Sequence, residues 1–198
     1  MGTGLFLGTF NPVHRGHEAL VDSFLKSKRI DDLWVVLTPE PPHKDNRIIA
    51  SFEDRWNMLE IAFMNRCKLK LSDVEKNLSS PHYTFRTLEF FKKKHPDRSF
   101  YLCIGGDTLR TLSTWYLYEK IAPKAALLVA RRPGFSVDLP EELRSFSVHF
   151  CDHQMVDISS TAVRQDILEG RFPGEEIMHP GVLNYIRKRG LYKNGSAS

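Results

Sequence analysis

At 198 residues, with 41% hydrophobic and 26% charged residues, the chain has the size and composition of one well-cored soluble domain, and no apolar run reaches the roughly 20 residues that span a bilayer. The net charge of +4 is too mild to separate a polyanionic small substrate from nucleic acid as a partner. Three cysteines (Cys67, Cys103 and Cys151), odd in number, widely spaced and lacking a Cys-x-x-Cys pair, favour reduced thiols in a cytosolic protein.

Residues 1–8 enter the first strand without a basic leader, so no signal peptide is expected. That strand, predicted over Leu5–Gly8, runs into Thr9-Phe10-Asn11-Pro12-Val13-His14-Arg15-Gly16-His17 and then into a helix over His17–Lys28. Gly8 and Gly16 have no Cβ and allow a ligand or a neighbouring backbone to approach closely. The start of a helix offers free N–H groups and a partial positive charge, and His14 and His17 add ring donors beside them. Such a build suits an anion, and a phosphate first of all.

A second strand, Leu33–Leu37, leads into a loop over Pro39–Ile49 whose length marks it as a functional candidate. Within it, Pro41-Pro42-His43-Lys44 stiffens the chain and offers Lys44 as a mobile cation for a phosphate. Ser51 with Asp54 reads as a capping box for a helix over Phe52–Arg66. A strand over Leu69–Val74 and a helix over Thr84–Lys94 follow. The basic run Lys92-Lys93-Lys94-His95 closes that helix, where cations suit the dipole on a solvated face.

The strand Phe100–Ile104 turns through Gly105-Gly106-Asp107 into a helix predicted over Thr108–Ile121. Gly105 again permits close approach, and Asp107 is placed to accept from ribose hydroxyls or to face a cation. Trp115 offers a flat face to a heteroaromatic ring, or packs in the core. Strands over Ala125–Ala130 and Val148–Phe150 come next. His149, Cys151 and His153 alternate onto one strand face. They are zinc-ligand types, but no fourth ligand lies near, so packing is expected and no metal site is assigned. Ile158-Ser159-Ser160-Thr161-Ala162-Val163-Arg164 opens a helix over Thr161–Glu169. One hydroxyl is enough for a cap; three, with Arg164 a turn inside, make a second phosphate site. The last helix is predicted over Gly181–Arg189, with Gly170 and Gly190 as helix stops. Residues 193–198 are expected as a flexible tail.

Strand and helix alternate throughout, which predicts an α/β fold: a Rossmann-like, doubly wound, mostly parallel sheet with helices on both faces, in one domain over residues 1–192. Ligands in such sheets bind at the carboxyl ends of strands where the strand order reverses.

The stretch Gly8–His17 resembles the Gly-Thr-Phe-Asp-Pro-x-His-x-Gly-His signature of the nucleotidyltransferase superfamily that carries an HxGH motif, and Ile158–Arg164 resembles its second signature, Ile-Ser-Ser-Thr-x-x-Arg. Further pieces are similar to the bacterial nicotinate-nucleotide adenylyltransferases, in the same order along the chain. They are Pro42-His43-Lys44, Pro81-His82-Tyr83-Thr84, Gly105-Gly106-Asp107 with Thr114-Trp115, Arg132-Pro133-Gly134, and Val182-Leu183-Asn184-Tyr185-Ile186 through Gly190-Leu191-Tyr192. Leu7, Asn11, His82 and Arg86 depart from the family pattern.

The resemblance implies transfer of AMP from ATP to nicotinate mononucleotide, giving deamido-NAD and pyrophosphate. It implies catalytic roles at the phosphates for His14, His17 and Arg164. ATP would be held by Gly8, Thr9, Phe10, Gly16, Gly105, Asp107, Ile158, Ser159 and Ser160. The mononucleotide would be held by Lys44, Thr84, Trp115 and Arg132. Mg²⁺ would bridge phosphate oxygens without a protein cage. Partners would be small molecules rather than nucleic acid or membrane, in the cytoplasm, with a homo-oligomer possible. The nearest alternative is the same reaction on nicotinamide mononucleotide or 4′-phosphopantetheine, with cytidylyl transfer further off. An alternative of another class is a non-catalytic nucleotide- or nucleic-acid-binding module on this fold.

Overall fold

Six runs rich in aliphatic and aromatic residues form strands: β1 (Gly2–Gly8), β2 (Asp32–Leu37), β3 (Leu69–Ser72), β4 (Ser99–Gly105), β5 (Ala125–Arg131) and β6 (Val148–Asp152). In the computed structural model, which describes residues 1–40, 49–131, 139–154 and 156–193, all six run parallel in the order β3-β2-β1-β4-β5-β6. The helices are α1 (Arg15–Lys26), α2 (Phe52–Phe63), α3 (Thr84–Lys94), α4 (Gly106–Thr111), α5 (Ser160–Leu168) and α6 (Pro180–Arg189). Among the described residues no helix is long and apolar enough to cross a membrane.

Parallel strands are buried on both faces, and alternate side chains feed two separate cores. Phe6, Leu33, Val35, Leu37, Cys103 and Leu128 face α1, α2, α5 and α6. Leu5, Trp34, Val36, Leu102, Ile104, Leu127 and Val129 face α3 and α4. The doubly wound arrangement expected from the strand–helix alternation is therefore present.

The helix predicted over Thr108–Ile121 is not continuous. The α-helical part ends at Thr111, 3₁₀ turns span Leu112–Thr114 and Tyr118–Lys120, and Leu117 between them is left-handed at φ 53°. Leu112, Trp115, Leu117, Tyr118 and Ile121 all pack against one core. A single helix would spread these five around its circumference, so the chain breaks to bury them together. Smaller differences lie at element ends: α1 begins at Arg15, α2 stops at Phe63 and β3 stops at Ser72. The expected stops hold, with Gly170 at φ 79° and Gly190 at φ 65°.

The cap of α2 is also a tertiary joint. Asp54 N–H donates to Ser51 Oγ at 3.0 Å, and Ser51 Oγ donates to the Asp54 carboxylate at 2.7 Å. The other Asp54 oxygen accepts from Tyr185 Oη and Arg189 Nε, which docks α6 onto α2.

Candidate active site

β1 leads to β2 on one side of the sheet, whereas β4, its other neighbour, begins the second half. The strand order reverses there, and a cleft of about 1280 Å³ opens at the carboxyl ends of β1 and β4. Gly8, Thr9, Phe10, His14, Gly16, His17, Gly105, Asp107, Trp115, Ile158, Ser160 and Arg164 line it. The two signatures, 150 residues apart in the chain, thus meet in one place.

The turn from β1 to α1 is held by packing as much as by glycine. Phe10 is left-handed at φ 44° and 3% exposed. A bulky residue pays about 1–2 kcal/mol for that conformation. Its ring offsets the cost edge-on to Phe6 and His17, with centroids at 5.4 and 5.0 Å. A Cβ on Gly8 would sit 2.9 Å from the Phe10 ring, and one on Gly16 would sit 3.0 Å from the His14 ring. A side chain at either position would have to displace one of these rings.

His14 is the N-cap of α1, with extended backbone. Its backbone N–H donates to His17 Nδ1 at 3.3 Å, and the two rings lie 3.8 Å apart. Because Nδ1 of His17 accepts, the proton of the neutral ring sits on Nε2. His14 is buried, its Nδ1 lacks a hydrogen-bond partner, and burial lowers its pKa to about 4. The unfolded ring titrates near 6.5, so as pH falls the unfolded chain takes up the proton first. Stability should be complete above about pH 6.5 and decline toward pH 4, by on the order of 3 kcal/mol from this residue. Urea unfolding at pH 7.5 and 4.5 tests this: His14→Asn should lose less stability on acidification than the wild type, and equal losses would refute it.

The second signature grips the first. Arg164 Nη1 donates to the Asn11 carbonyl at 2.8 Å, and Ser160 Oγ donates to the Pro12 carbonyl at 3.0 Å. Arg164 Nη2 also reaches Thr161 Oγ1 at 3.2 Å. Ser159 is the cap of α5, which starts one residue earlier than predicted: its hydroxyl accepts from Ala162 N–H at 3.1 Å, and the residue is exposed and does not line the cleft. All three hydroxyls therefore have partners within the protein. Asn11, where the family pattern has aspartate, is held through Oδ1, which accepts from Ala50 N–H at 3.1 Å and Tyr192 Oη at 2.7 Å.

Arg55 is the residue that reading the chain locally did not single out. It is 1% exposed, and among the described residues its guanidinium donates to backbone carbonyls: Thr9 at 3.0 Å, Thr38 at 2.7 Å, Pro39 at 2.7 Å and Ala50 at 3.0 Å. It ties the ends of β1 and β2 to the start of α2. Burial lowers its pKa to about 10, so it keeps its charge at neutral pH. A signal was present: positions 55, 58, 59 and 62 form the apolar stripe of α2, and a charge on such a stripe needs buried partners.

Trp115 is half-buried, packs against the α3-side core and lines the cleft, so both of its expected roles coexist. Asp107 is exposed on the first turn of α4 and is the only carboxylate among the described lining residues. Thr84 opens α3 but does not line the cleft. Lys44 and Arg132 lie outside the described residues. His149 is engaged with Ser147 and His153 with Ser23, and among the described residues no His, Cys, Asp and Glu cluster is built to hold a metal.

Residues 5–166 match the family described as cytidylyltransferase-like. The chain is 36% identical over 196 residues to a probable nicotinate-nucleotide adenylyltransferase of Flavobacterium johnsoniae, covering 98% of this chain and 100% of that one. It is 29% identical over 191 residues to the nicotinate-nucleotide adenylyltransferase of Bacillus subtilis, covering 96% and 98%. The fold is similar to that of the Plasmodium falciparum nicotinic acid mononucleotide adenylyltransferase solved with NaAD, with a TM-score of 0.80, 24% identity, and 96% and 97% of the two chains covered.

Proposed function

The chain belongs to the cytidylyltransferase-like family and, within it, to the nicotinate-nucleotide adenylyltransferases, and from that premise we infer that it transfers the adenylyl group of ATP to nicotinate mononucleotide, releasing pyrophosphate and deamido-NAD. One observation carries the reading at the level of chemistry. The N-termini of α1 and α5, two imidazoles and the Arg164 guanidinium converge on one cleft at the strand-order reversal.

The attacking group is a phosphate already ionised at neutral pH, so no strong base is needed. The barrier is charge: two phosphate-bearing substrates must meet in line, and negative charge builds on the departing pyrophosphate. Helix N-termini and imidazole N–H groups stabilise such charge without reorganising. In this reading His14 and His17 face the triphosphate, and His17, with its proton on Nε2, donates toward the transferred phosphorus. Backbone at Gly8, Thr9, Phe10, Gly16, Gly105 and Ile158 flanks the nucleotide, and Asp107 holds a ribose. Ser159 and Ser160 set the start of α5. Trp115 offers its face to the pyridine ring, with Lys44, Thr84 and Arg132 as further acceptor-side candidates.

Asp107, the one carboxylate among the described lining residues, would stand beside a Mg²⁺ brought in with the triphosphate. When bound, that ion offsets phosphate charge.

Arg164→Ala should weaken ATP binding about 10- to 100-fold, as for a charged hydrogen-bond donor, with the fold kept. Arg164→Lys should recover little, because an ammonium cannot span Asn11 and Thr161. Calorimetric titration of both variants checks this, and wild-type ATP affinity would remove Arg164 from the site.

The reading as a whole is tested by pyrophosphate release from Mg²⁺-ATP with nicotinate mononucleotide, nicotinamide mononucleotide and 4′-phosphopantetheine in turn. The highest kcat/KM is expected with the nicotinate compound. Preference for another acceptor would overturn the substrate, and nucleotide binding without turnover on any acceptor would overturn the reaction.

A further inference from the structure

His153 lies just beyond β6 and is 7% exposed, yet its ring lines the cleft. The transfer mechanism above gives it no task. Its backbone N–H donates to the Arg131 carbonyl at 2.8 Å, which pins it to the end of β5. Its ring Nδ1 lies 3.0 Å from Ser23 Oγ on α1. Ser23 has one hydroxyl proton, and that proton is donated to the Ala19 carbonyl at 3.0 Å. Toward His153 the serine oxygen is therefore an acceptor, so Nδ1 carries the ring proton. The burial that lowers the His153 pKa keeps the ring neutral. Nε2, on the other side of the ring, is then the acceptor nitrogen.

The surroundings say what such an acceptor meets. Leu20, Cys103, Ala130 and Ile158 line the same cleft and belong to one apolar cluster on the α1 side of the sheet. His17 and Ser23 are six residues apart on α1, about 9 Å along the helix axis, which leaves a ribose between a phosphate at His17 and a group near His153. The apolar part of a nucleoside triphosphate is its base, and these residues give the cleft an apolar wall beside His153. The inference rests on the nucleotide reading of the cleft given above.

We propose that the Ser23–His153 pair reads the base: Ser23 locks His153 as the Nδ1–H tautomer, and Nε2 accepts from the 6-amino group of adenine and repels the 6-oxo group of hypoxanthine or guanine. Buried polar groups discriminate strongly because a mismatched partner leaves both sides unpaired. Ser23 acts through His153 as a positioning residue.

The test compares ATP with ITP, which carries a 6-oxo group, in pyrophosphate release and in equilibrium binding without acceptor. The wild type should favour ATP by about 10² or more in kcat/KM. In His153→Ala that ratio should collapse to within about tenfold, with the loss for ATP falling in KM rather than kcat. Ser23→Ala removes the serine acceptor and leaves the ring its contact with the Ala19 carbonyl, so the ATP-to-ITP ratio should fall only part of the way toward that of His153→Ala. A loss of stability alone would move both nucleotides together. An unchanged ATP-to-ITP ratio in the folded variants overturns the proposal. Should either variant not fold, the other decides. If no mononucleotide supports pyrophosphate release, the transfer reading fails on its own, and the binding ratio of the two nucleotides still decides the base reading.

Discussion

His17→Ala is expected to lower kcat by about 10²–10³ while leaving the KM for ATP within a fewfold of wild type, as for loss of one preorganised donor to a developing charge. The split follows from position. His17 is half-buried on the first turn of α1, its Nδ1 is committed to His14 N–H, and its remaining nitrogen carries the proton. A donor fixed before substrate arrives interacts most strongly where charge grows, so its loss falls on the transition state. Single-turnover measurement of pyrophosphate release separates this from slow product release. The fold should survive, because the ring's contacts with Phe6, Phe10 and His14 and its bond from His14 N–H all lie at the end of β1 and the turn into α1. His17→Asn keeps an amide donor of shorter reach and should recover part of the rate. Turnover near wild type in a folded His17→Ala protein would take His17 out of the transition state.

The second large effect is on stability. Arg55→Met keeps the length of the side chain and removes every donor, leaving the carbonyls of Thr9, Thr38, Pro39 and Ala50 without their guanidinium partner. Removing one side of a buried charged network costs about 3–5 kcal/mol, because the groups left behind stay desolvated and unpaired. For a chain of this length that corresponds to a fall in Tm of roughly 10 °C. Arg55→Lys should recover only a fraction, since one ammonium cannot meet four carbonyls set around a planar fork. Both substitutions should also raise the KM for ATP, because the Thr9 carbonyl belongs to the turn that lines the cleft. Thermal unfolding followed by circular dichroism is the measurement, and a shift under about 2 °C for Arg55→Met would show that water replaces the guanidinium at little cost.

Most of the fold was legible in the chain. The six apolar runs became six strands, because β-branched and aromatic residues bounded by turn residues admit few other structures. The exception lay at Thr108–Ile121, where helical propensity was overruled by five apolar side chains seeking the same core. The site was legible in part. Glycine and histidine spacing located the turn that lines the cleft, since that spacing acts within one turn of chain. Spacing also put Ser159, Ser160 and Thr161 at the start of α5, but it could not show the internal partner each has: Ser160 reaches the Pro12 carbonyl 148 residues away.

Periodicity, turn residues and the two signatures act over a few residues, and by themselves they determined the alternating α/β plan and the two helix starts that meet at the cleft. What only the tertiary structure decided is the state of the groups within that plan: which hydroxyls are committed, where Arg55 sends its donors, and which serine meets the His153 ring. A hydrogen bond requires two groups at about 3 Å. The partners of Arg55 on the ends of β1 and β2, and the serine that meets His153 from 130 positions away, come within that distance only when the sheet has formed and α1 has closed over it.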